Sequence, residues 1–255
     1  MTDYMIEKAN IQLKHDRLTA FLNAFDLSTM RCESAQDANL LIVDEERVGR
    51  PTHLVYRARH GGPLAKGMSL CAAAKVDFGG SANPLIGALP DEVRIALADE
   101  PQLRGLAEMI TGEVETARCG GGSIQARLCE VVVVLAIRKA IAMGTVDAGL
   151  LAGLAHPRLY VSLIAMHDEP ATNWQIADLA GIAGMSRGQF TTVFKQTVGQ
   201  SPGAYLNGWR LVLGRAKLRA GHSVKSVSAM VGFGSAAAFS RAFSRKFGHA
   251  PSQSD

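Results

Sequence analysis

The sequence lacks the features that mark several protein classes. It has four cysteines among 255 residues and no CxxC pair, so neither a disulfide framework nor a cysteine-rich zinc site is expected. Its longest apolar run, Val131–Ile137, has seven residues, whereas a membrane-spanning helix needs about 20. The first residues show no secretory signal. We therefore expect a cytoplasmic protein with reduced thiols and no membrane segment.

Common catalytic motifs are also absent. The chain has no GxSxG, P-loop or HExxH pattern, and its glycine pairs do not open a helix after a strand as in dinucleotide-binding sites. His53 and His60 stand seven residues apart without a carboxylate in phase, so the sequence contains no recognisable metal ligand set. We expect no catalytic residue, metal or cofactor, and an enzyme is only a remote alternative.

The charge is distributed unevenly along the chain. Residues 157–255 carry eleven Lys/Arg and four Asp/Glu, a balance of +7, whereas residues 1–156 have a balance of −3. The hydrophobic share of 47% is enough for packed cores in both parts. These balances predict two domains, 1–156 and 157–255, and the basic one indicates a polyanionic partner such as nucleic acid.

The basic part contains an internal repeat. Two Phe residues, a Gly and a Pro at spacings of four, five and three recur 49 residues later: Phe190, Phe194, Gly199 and Pro202, then Phe239, Phe243, Gly248 and Pro251. Each copy predicts a helix, a tight turn at a glycine (Gly184, Gly232) and a second helix capped by a serine. This is the helix-turn-helix layout, whose second helix enters the major groove of DNA.

The ends of the predicted helices are marked by capping residues. Asn173 and Ser223 are expected to cap the first helix of each copy, and Ser186 and Ser235 the second. The amphipathic stretch Pro202–Ala220 between the copies is expected to form one long connecting helix. A rigid helix there would fix the spacing of the two reading helices.

Three segments of the basic part resemble the AraC/XylS family of transcription regulators. They are IADLAGIAGMSRGQF, VFKQTVGQSPGAYL and VGFGSAAAFSRAFSRKFGHAP, and the resemblance covers about residues 172–252. It implies an all-α domain with two helix-turn-helix motifs that binds double-stranded promoter DNA. It also implies activation rather than repression, with RNA polymerase as a further partner.

The expected DNA-contacting residues lie on the polar side of the two recognition helices and beside them. Arg241 is expected to read a guanine, and Lys195, Lys225, Arg245 and Lys246 to contact phosphates. The complete set is Ser186, Arg187, Gly188, Thr191, Thr192, Lys195, Lys225, Ser235, Ala237, Ser240, Arg241, Arg245 and Lys246.

The N-terminal part has a mixed pattern. A helix is predicted at Asp16–Leu27, strands at Asn39–Asp44, His53–Arg59 and Met68–Phe78, and further helices at Leu103–Glu115 and Ser123–Met143. LCAAAKVDFGGSANP and GLLAGLAHPR resemble the cupin-like sensor domains fused to AraC-type readers. The fold class is therefore α+β: a small β-barrel or degenerate cupin with helices, then an all-α DNA-binding domain.

One helix of this part is expected to form a homodimer interface. Ser123–Met143 carries apolar residues at heptad-like spacing, namely Ile124, Leu128, Val131, Leu135 and Ala142. The neighbouring residues Val132, Val133, Val134 and Ile137 add apolar surface on a second side. The stripe therefore favours a partner helix from a second copy.

A cluster of arginines indicates an anionic effector. Arg47, Arg50, Arg57 and Arg59 lie within thirteen residues, and guanidinium groups bind phosphates and stack on flat rings. The segment Arg47-Val-Gly-Arg50, with Asp77 and Ser81, loosely resembles the motifs of PilZ-type cyclic di-GMP receptors, which implies a cyclic dinucleotide effector bound by the four arginines, Asp77 and Ser81. The alternatives are redox sensing by Cys32 and Cys71, a sugar or aromatic effector, and, remotely, a cupin-like enzyme.

Overall fold

The computed structural model of the chain describes residues 16–116, 118–144 and 148–253. The chain divides into two units, Asp26–Val146 and a second one formed by Met1–Phe25 with Asp147–Asp255. In chain order the helices are α1 (Thr19–Ala24), α2 (Pro84–Ala88), α3 (Pro101–Thr116), α4 (Gly121–Met143), α5 (Leu150–Ala155), α6 (Leu159–Asp168), α7 (Ile176–Ile182), α8 (Arg187–Val198), α9 (Pro202–Arg219), α10 (Val224–Met230) and α11 (Ala236–Phe247). The strands are β1 (Ser28–Cys32), β2 (Leu40–Asp44), β3 (His53–Tyr56), β4 (Ser69–Asp77) and β5 (Val93–Ala96).

The unit Asp26–Val146 is built on one antiparallel sheet with the strand order β1-β4-β2-β3-β5. Strand β2 reads LLIVD and every one of its residues is buried, as expected for a central strand covered on both faces. The predicted α+β class is confirmed. The predicted barrel is not closed, because the edge strands β1 and β5 pair only with β4 and β3 within the described residues.

A buried asparagine fixes the register beside β2. The Nδ2 of Asn39 donates to the carbonyl oxygen of Val76 at 3.0 Å, and its Oδ1 accepts from the Val76 N–H at 2.6 Å. A buried side-chain amide costs free energy unless it is hydrogen-bonded. This reciprocal pair satisfies Asn39 and holds β4 in place next to β2.

The two long helices of this unit, α3 and α4, pack on each other, and α4 also packs on β1. The hydroxyl of Thr29 in β1 donates to the carbonyl oxygen of Ala126 in α4 at 2.7 Å. The buried side of α4 includes Val132, Val133 and Ile137. These three residues, expected to add a second apolar surface, are therefore core residues of the unit.

The other unit is called here the DNA-binding unit after the function that the sequence predicts for it, and it is entirely helical in its described residues. Its boundary precedes the predicted one at 156/157 because α5 packs against α6 and α8. Helix α1 also belongs to it, since α1 packs against α6. Among the described residues, no helix is both long and apolar enough to span a bilayer.

Candidate nucleic-acid interface

The first motif consists of α7, a tight turn and α8. Gln175, rather than the predicted Asn173, caps α7, because it forms a reciprocal capping box with Asp178. Gly184 takes the left-handed backbone (φ 62°) that the sharp turn requires. Ser186 caps α8 as predicted: its hydroxyl accepts from the N–H of Gln189 at 3.3 Å.

Helix α8 separates a buried side from an exposed one. Phe190 and Phe194 are fully buried, with ring centroids 5.5 Å apart. The predicted DNA-contacting residues of this motif, Ser186, Arg187, Gly188, Thr191, Thr192 and Lys195, are all exposed. The hydroxyl of Thr191 donates to the Arg187 carbonyl oxygen at 2.9 Å, which leaves its oxygen free only as an acceptor.

The second motif repeats this arrangement in α10, the turn and α11. Ser223 caps α10 and Ser235 caps α11, as predicted, with Oγ···N distances of 3.2 and 3.1 Å. Gly232 takes the left-handed backbone of the turn (φ 82°). Both second helices also end on a left-handed glycine, Gly199 and Gly248, which explains why the repeat retains these two positions.

Helix α11 also has a buried aromatic side and an exposed polar side. Phe239 and Phe243 are fully buried, and their ring centroids are 5.5 Å apart. Of the predicted DNA-contacting residues, Ser240 is half-buried, and the others are exposed: Lys225, Ser235, Ala237, Arg241, Arg245 and Lys246. Apart from Lys225, which lies in α10, the structure thus brings the predicted residues of each motif to the start or the outward side of its second helix.

One exposed residue that fits base reading was missed from the sequence. Gln189 is exposed in the first turn of α8, two residues after Arg187. A glutamine amide can form two hydrogen bonds to an adenine edge in the major groove. Its counterpart in the repeat is Ala238, which is half-buried and whose side chain has no polar atom. Comparing the two copies position by position would have identified Gln189.

The connecting helix α9 is anchored in the core by aromatic residues. Trp209 and Tyr205 are buried, and Trp209 packs against Phe21 of α1 with ring centroids 5.1 Å apart. At Gly214 the ring of Phe239 comes so close that an added Cβ would lie 2.7 Å from it. The small residue therefore allows α11 to approach α9 closely.

The residues predicted for the effector lie at two ends of the sheet. Tyr56 of β3 and Ala74 of β4 both pair with Leu40 of β2. This register puts Asp77 at one end of the sheet and Arg57, Arg59 and Ser81 beyond that end, whereas Arg47 and Arg50 lie in the turn at the opposite end. Strand β3 stops at Tyr56, so Arg57 and Arg59 lie after it and do not share a strand face as predicted.

Most of these arginines already have partners. Arg57 pairs with Glu92 at 3.0 Å and donates to the Gly62 carbonyl oxygen at 2.9 Å. Arg59 pairs with Asp91 and donates to the Leu89 carbonyl oxygen at 2.7 Å. The predicted excess of positive charge is thus reduced, because the segment leading into β5 brings carboxylates to β3. Asp77 accepts from the Gly79 N–H at 3.0 Å.

The cysteines of the redox alternative are free thiols. Cys71 lies at the irregularity in the pairing of β2 with β4, where Ile42 pairs with Ala72 and Val43 pairs with Leu70. Burial, with Asp44 and Glu115 nearby, raises the pKa of the Cys71 thiol. A raised pKa disfavours the thiolate that reacts with oxidants. No group of three or more residues able to bind a metal ion occurs in the described parts of the chain.

Two family models match the chain, a cupin model over residues 24–142 and a helix-turn-helix domain model over residues 179–254. The chain thus contains a cupin domain and a helix-turn-helix domain of the AraC type. It is 44% identical over 105 residues to a putative AraC-like transcription regulator of Streptomyces lividans, an alignment that covers 41% of this chain and 34% of the relative.

Two further proteins are similar to parts of the chain. An uncharacterized HTH-type transcriptional regulator of Haemophilus influenzae is 32% identical over 170 residues, covering 66% of this chain and 57% of the relative. The crystal structure of an AraC-type transcriptional regulator from Chromobacterium violaceum aligns with a TM-score of 0.37 at 27% identity, covering 38% of this chain and 88% of that one. The chain thus spans less than two thirds of the length of both curated relatives.

Proposed function

We propose that the chain is a transcription regulator that binds promoter DNA sequence-specifically through its two helix-turn-helix motifs. The observation that carries the proposal is the repeated pair of serine-capped helices, α8 and α11, each with a buried Phe pair on one side and exposed polar and cationic residues on the other. We propose activation of transcription through contact with RNA polymerase from the resemblance to the AraC/XylS family alone.

The connecting helix supports binding of both motifs to one duplex. Helix α9 has 18 residues and is therefore about 27 Å long. Successive major-groove segments on one side of B-DNA lie about 34 Å apart. We expect each chain to cover two such segments, with α8 in one and α11 in the next.

Selection from random duplexes followed by hydroxyl-radical footprinting tests this function. The expected result is a bipartite sequence motif, with two protected segments about one helical turn apart for each bound chain. Protection of a single groove segment would contradict two-motif reading, and failure to enrich any sequence would contradict sequence-specific binding. The salt dependence of the affinity should reveal several phosphate contacts.

We further propose that the chain acts as a homodimer through α4. The residues on the outward side of this helix are the predicted heptad-like stripe: Ile124, Val131 and Ala142 are exposed, and Leu128 and Leu135 are half-buried. The core side is formed by other residues, so the stripe is not needed to close the unit. A second copy of the same helix would bury it.

The identity of the effector is the most specific element of the proposed function. We propose cyclic di-GMP as the effector, bound at the Arg47–Arg50 turn. Arg57 and Arg59 do not contribute to this site, because they lie at the other end of the sheet with carboxylate partners. Arg50 is exposed and has no hydrogen bond or ion pair among the described residues, and Arg47 donates to the Gly67 carbonyl oxygen at 3.2 Å. A phosphate group would bind there to Arg50.

Calorimetry with cyclic di-GMP tests the effector on wild type, Arg50→Ala and, as a control from the opposite end of the sheet, Arg59→Ala. The expected result is binding that Arg50→Ala weakens and Arg59→Ala leaves unchanged. Absence of heat for the wild type at near-millimolar ligand would remove the cyclic dinucleotide hypothesis. Equal affinity in Arg50→Ala would keep the ligand and exclude this site.

A further inference from the structure

The segment that leads into the first motif lies directly on the turn of the second motif. Gly232, in that turn, has φ 82°, and a Cβ built on it would lie 2.6 Å from the Cα and 2.9 Å from the carbonyl oxygen of Ala171. Real Cβ atoms do not approach backbone atoms so closely. The two backbones can therefore meet only because position 232 is a glycine.

The same segment is also hydrogen-bonded by Arg210 of α9. Its Nε donates to the carbonyl oxygen of Pro170 at 2.6 Å, and its Nη2 donates to the carbonyl oxygen of Thr172 at 2.9 Å. These two carbonyls flank Ala171, the residue that contacts Gly232. The planar guanidinium group makes both bonds at once, which a lysine ammonium on its flexible stem cannot reproduce.

Hydrogen bonds within the segment keep it in one conformation. The indole Nε1 of Trp174 donates to the carbonyl oxygen of Glu169 at 3.0 Å, and the backbone N–H of Trp174 donates to the carbonyl oxygen of Thr172 at 2.9 Å. Residues 169–174 therefore form an ordered bridge between the end of α6 and the start of α7. A displacement of this bridge would move the first motif with it.

We propose that Arg210 and Gly232 are positioning residues that fix the orientation of the first motif relative to the second. Helix α9 packs on both motifs, through Tyr205 against Phe194 of α8 and through Gly214 against Phe239 of α11. The contact of Ala171 with Gly232, held by Arg210, adds a direct backbone contact between the two motifs and further restricts their relative rotation. This proposal rests on the proposed two-motif reading of DNA. A fixed orientation of the motifs would require one spacing of the two DNA segments.

The physical reason is preorganisation. When two binding elements are already held at the spacing of their targets, the cost of ordering them does not reduce the affinity. Inserting one base pair between the two DNA segments rotates one of them by about 34° about the duplex axis. A rigid pair of motifs cannot follow that rotation, whereas a loosely joined pair can.

The experiment measures affinity for a series of duplexes made from the selected bipartite site, with zero, one, two or three base pairs inserted between its segments. The full chain is compared with Arg210→Met, which removes the guanidinium group but keeps most of the stem, and with Arg210→Lys, which keeps only the charge. Gly232→Ala tests the backbone contact, and Gly221→Ala is the matched control because Gly221 also has a positive φ (86°) and a Cβ there meets nothing within 4 Å.

The expected wild-type result is a sharp optimum at one spacing, retained in Gly221→Ala. For Arg210→Met and Arg210→Lys we expect binding at the optimum to weaken by about tenfold, while binding to the inserted duplexes changes little, so that the profile flattens. A purely structural role would lower affinity by the same factor at every spacing, and that result would overturn the proposal. Arg210→Met remains decisive if Gly232→Ala does not fold.

The failure of this inference differs from the failure of the proposed function. If the wild type selects no bipartite site, the two-motif reading of DNA is wrong, and this proposal is wrong with it. If the wild type shows a sharp optimum and both Arg210 variants keep the same optimum and the same ratio between spacings, DNA reading stands and the positioning role is wrong.

Discussion

The imidazole of His167 is hydrogen-bonded through Nε2 to the hydroxyl of Tyr205 in the core of the DNA-binding unit. The ring of Trp209 lies 4.5 Å from the imidazole and that of Phe21 lies 5.0 Å from it, centroid to centroid. Burial in this aromatic cluster lowers the pKa of His167 to about 3 from its ordinary value of 6.5. The core therefore holds a histidine that stays neutral over most of the accessible pH range.

This histidine should make the unit less stable in acid. Between pH 6.5 and 3 the unfolded chain binds a proton at His167 that the folded chain does not, so the free energy of unfolding falls as the pH falls, by at most about 1.4 kcal/mol per pH unit. In His167→Gln the amide can still bond to Tyr205, and we expect a smaller slope. His222→Gln, at an exposed site, should keep the wild-type slope.

Unfolding followed by tryptophan fluorescence measures this effect. Both tryptophans, Trp174 and Trp209, lie in the DNA-binding unit, so their signal reports on that unit and not on the sheet. Equal pH slopes for the wild type and His167→Gln would contradict the assignment of the acid sensitivity to His167.

Arg241 and Lys195 should differ in how they contribute to DNA binding. Both are exposed on second helices of the motifs. Arg241→Ala should cost about 1–3 kcal/mol on the preferred sequence and relax the preference at one base pair. Lys195→Ala should weaken binding to all sequences alike and reduce the salt slope by about 1.

Binding isotherms on single-base variants of the selected site, measured at several salt concentrations, separate these two effects. Arg138→Ala, an exposed arginine of α4 in the other unit, is the control for loss of one positive charge. An unchanged base preference in Arg241→Ala would show that this residue is not the base reader.

Gly214→Ala should destabilise the second motif. The new methyl group would lie 2.7 Å from the ring of Phe239, so either the ring or the helix must move. Overpacking of this kind costs about 1–3 kcal/mol. Gly203→Ala in the same helix has open space and should be neutral or stabilising by up to about 1 kcal/mol. Urea unfolding monitored by tryptophan fluorescence compares the two, and equal midpoints would refute the packing argument.

Val131→Glu should dissociate the proposed dimer. Val131 is 48% exposed in the middle of the outward side of α4, and a carboxylate there would be buried against the partner helix. Val48→Glu is the matched control, because Val48 is 51% exposed and lies outside α4. Sedimentation equilibrium should give a dimer for the wild type and Val48→Glu, and a monomer for Val131→Glu. A monomeric wild type would contradict the dimer proposal.

Much of the DNA-binding unit was predictable because its signals are local. A serine that caps a helix and a glycine that ends one act through the backbone of the next three or four residues, so Ser186, Ser223, Ser235 and Gly199 could be identified from spacing alone. Because the motif occurs twice, each capping or turn residue in one copy could be compared with its counterpart in the other. A fixed helical period determines which residues share a side of a helix, and this is why Phe190 and Phe239 take equivalent buried positions in the two copies.

The sheet was harder to predict because its edges carry weak signals. Strands β1 and β5 were missed: β1 reads STMRC with no buried residue, and β5 has only four residues. Whether a sheet closes into a barrel depends on pairing between such edge strands, and no short stretch of sequence encodes that pairing. The open sheet therefore emerged only from the structure.

The sequence by itself determined the two motifs, three of their four caps and the polar sides of the second helices, because these follow from periodicity and from backbone preferences over a few residues. Only the tertiary structure decided that Glu92 neutralises Arg57, that the arginines lie at opposite ends of a sheet, and that Ala171 rests on Gly232. Each of these contacts joins residues far apart in the chain. Their formation depends on how whole elements pack, which local sequence does not specify.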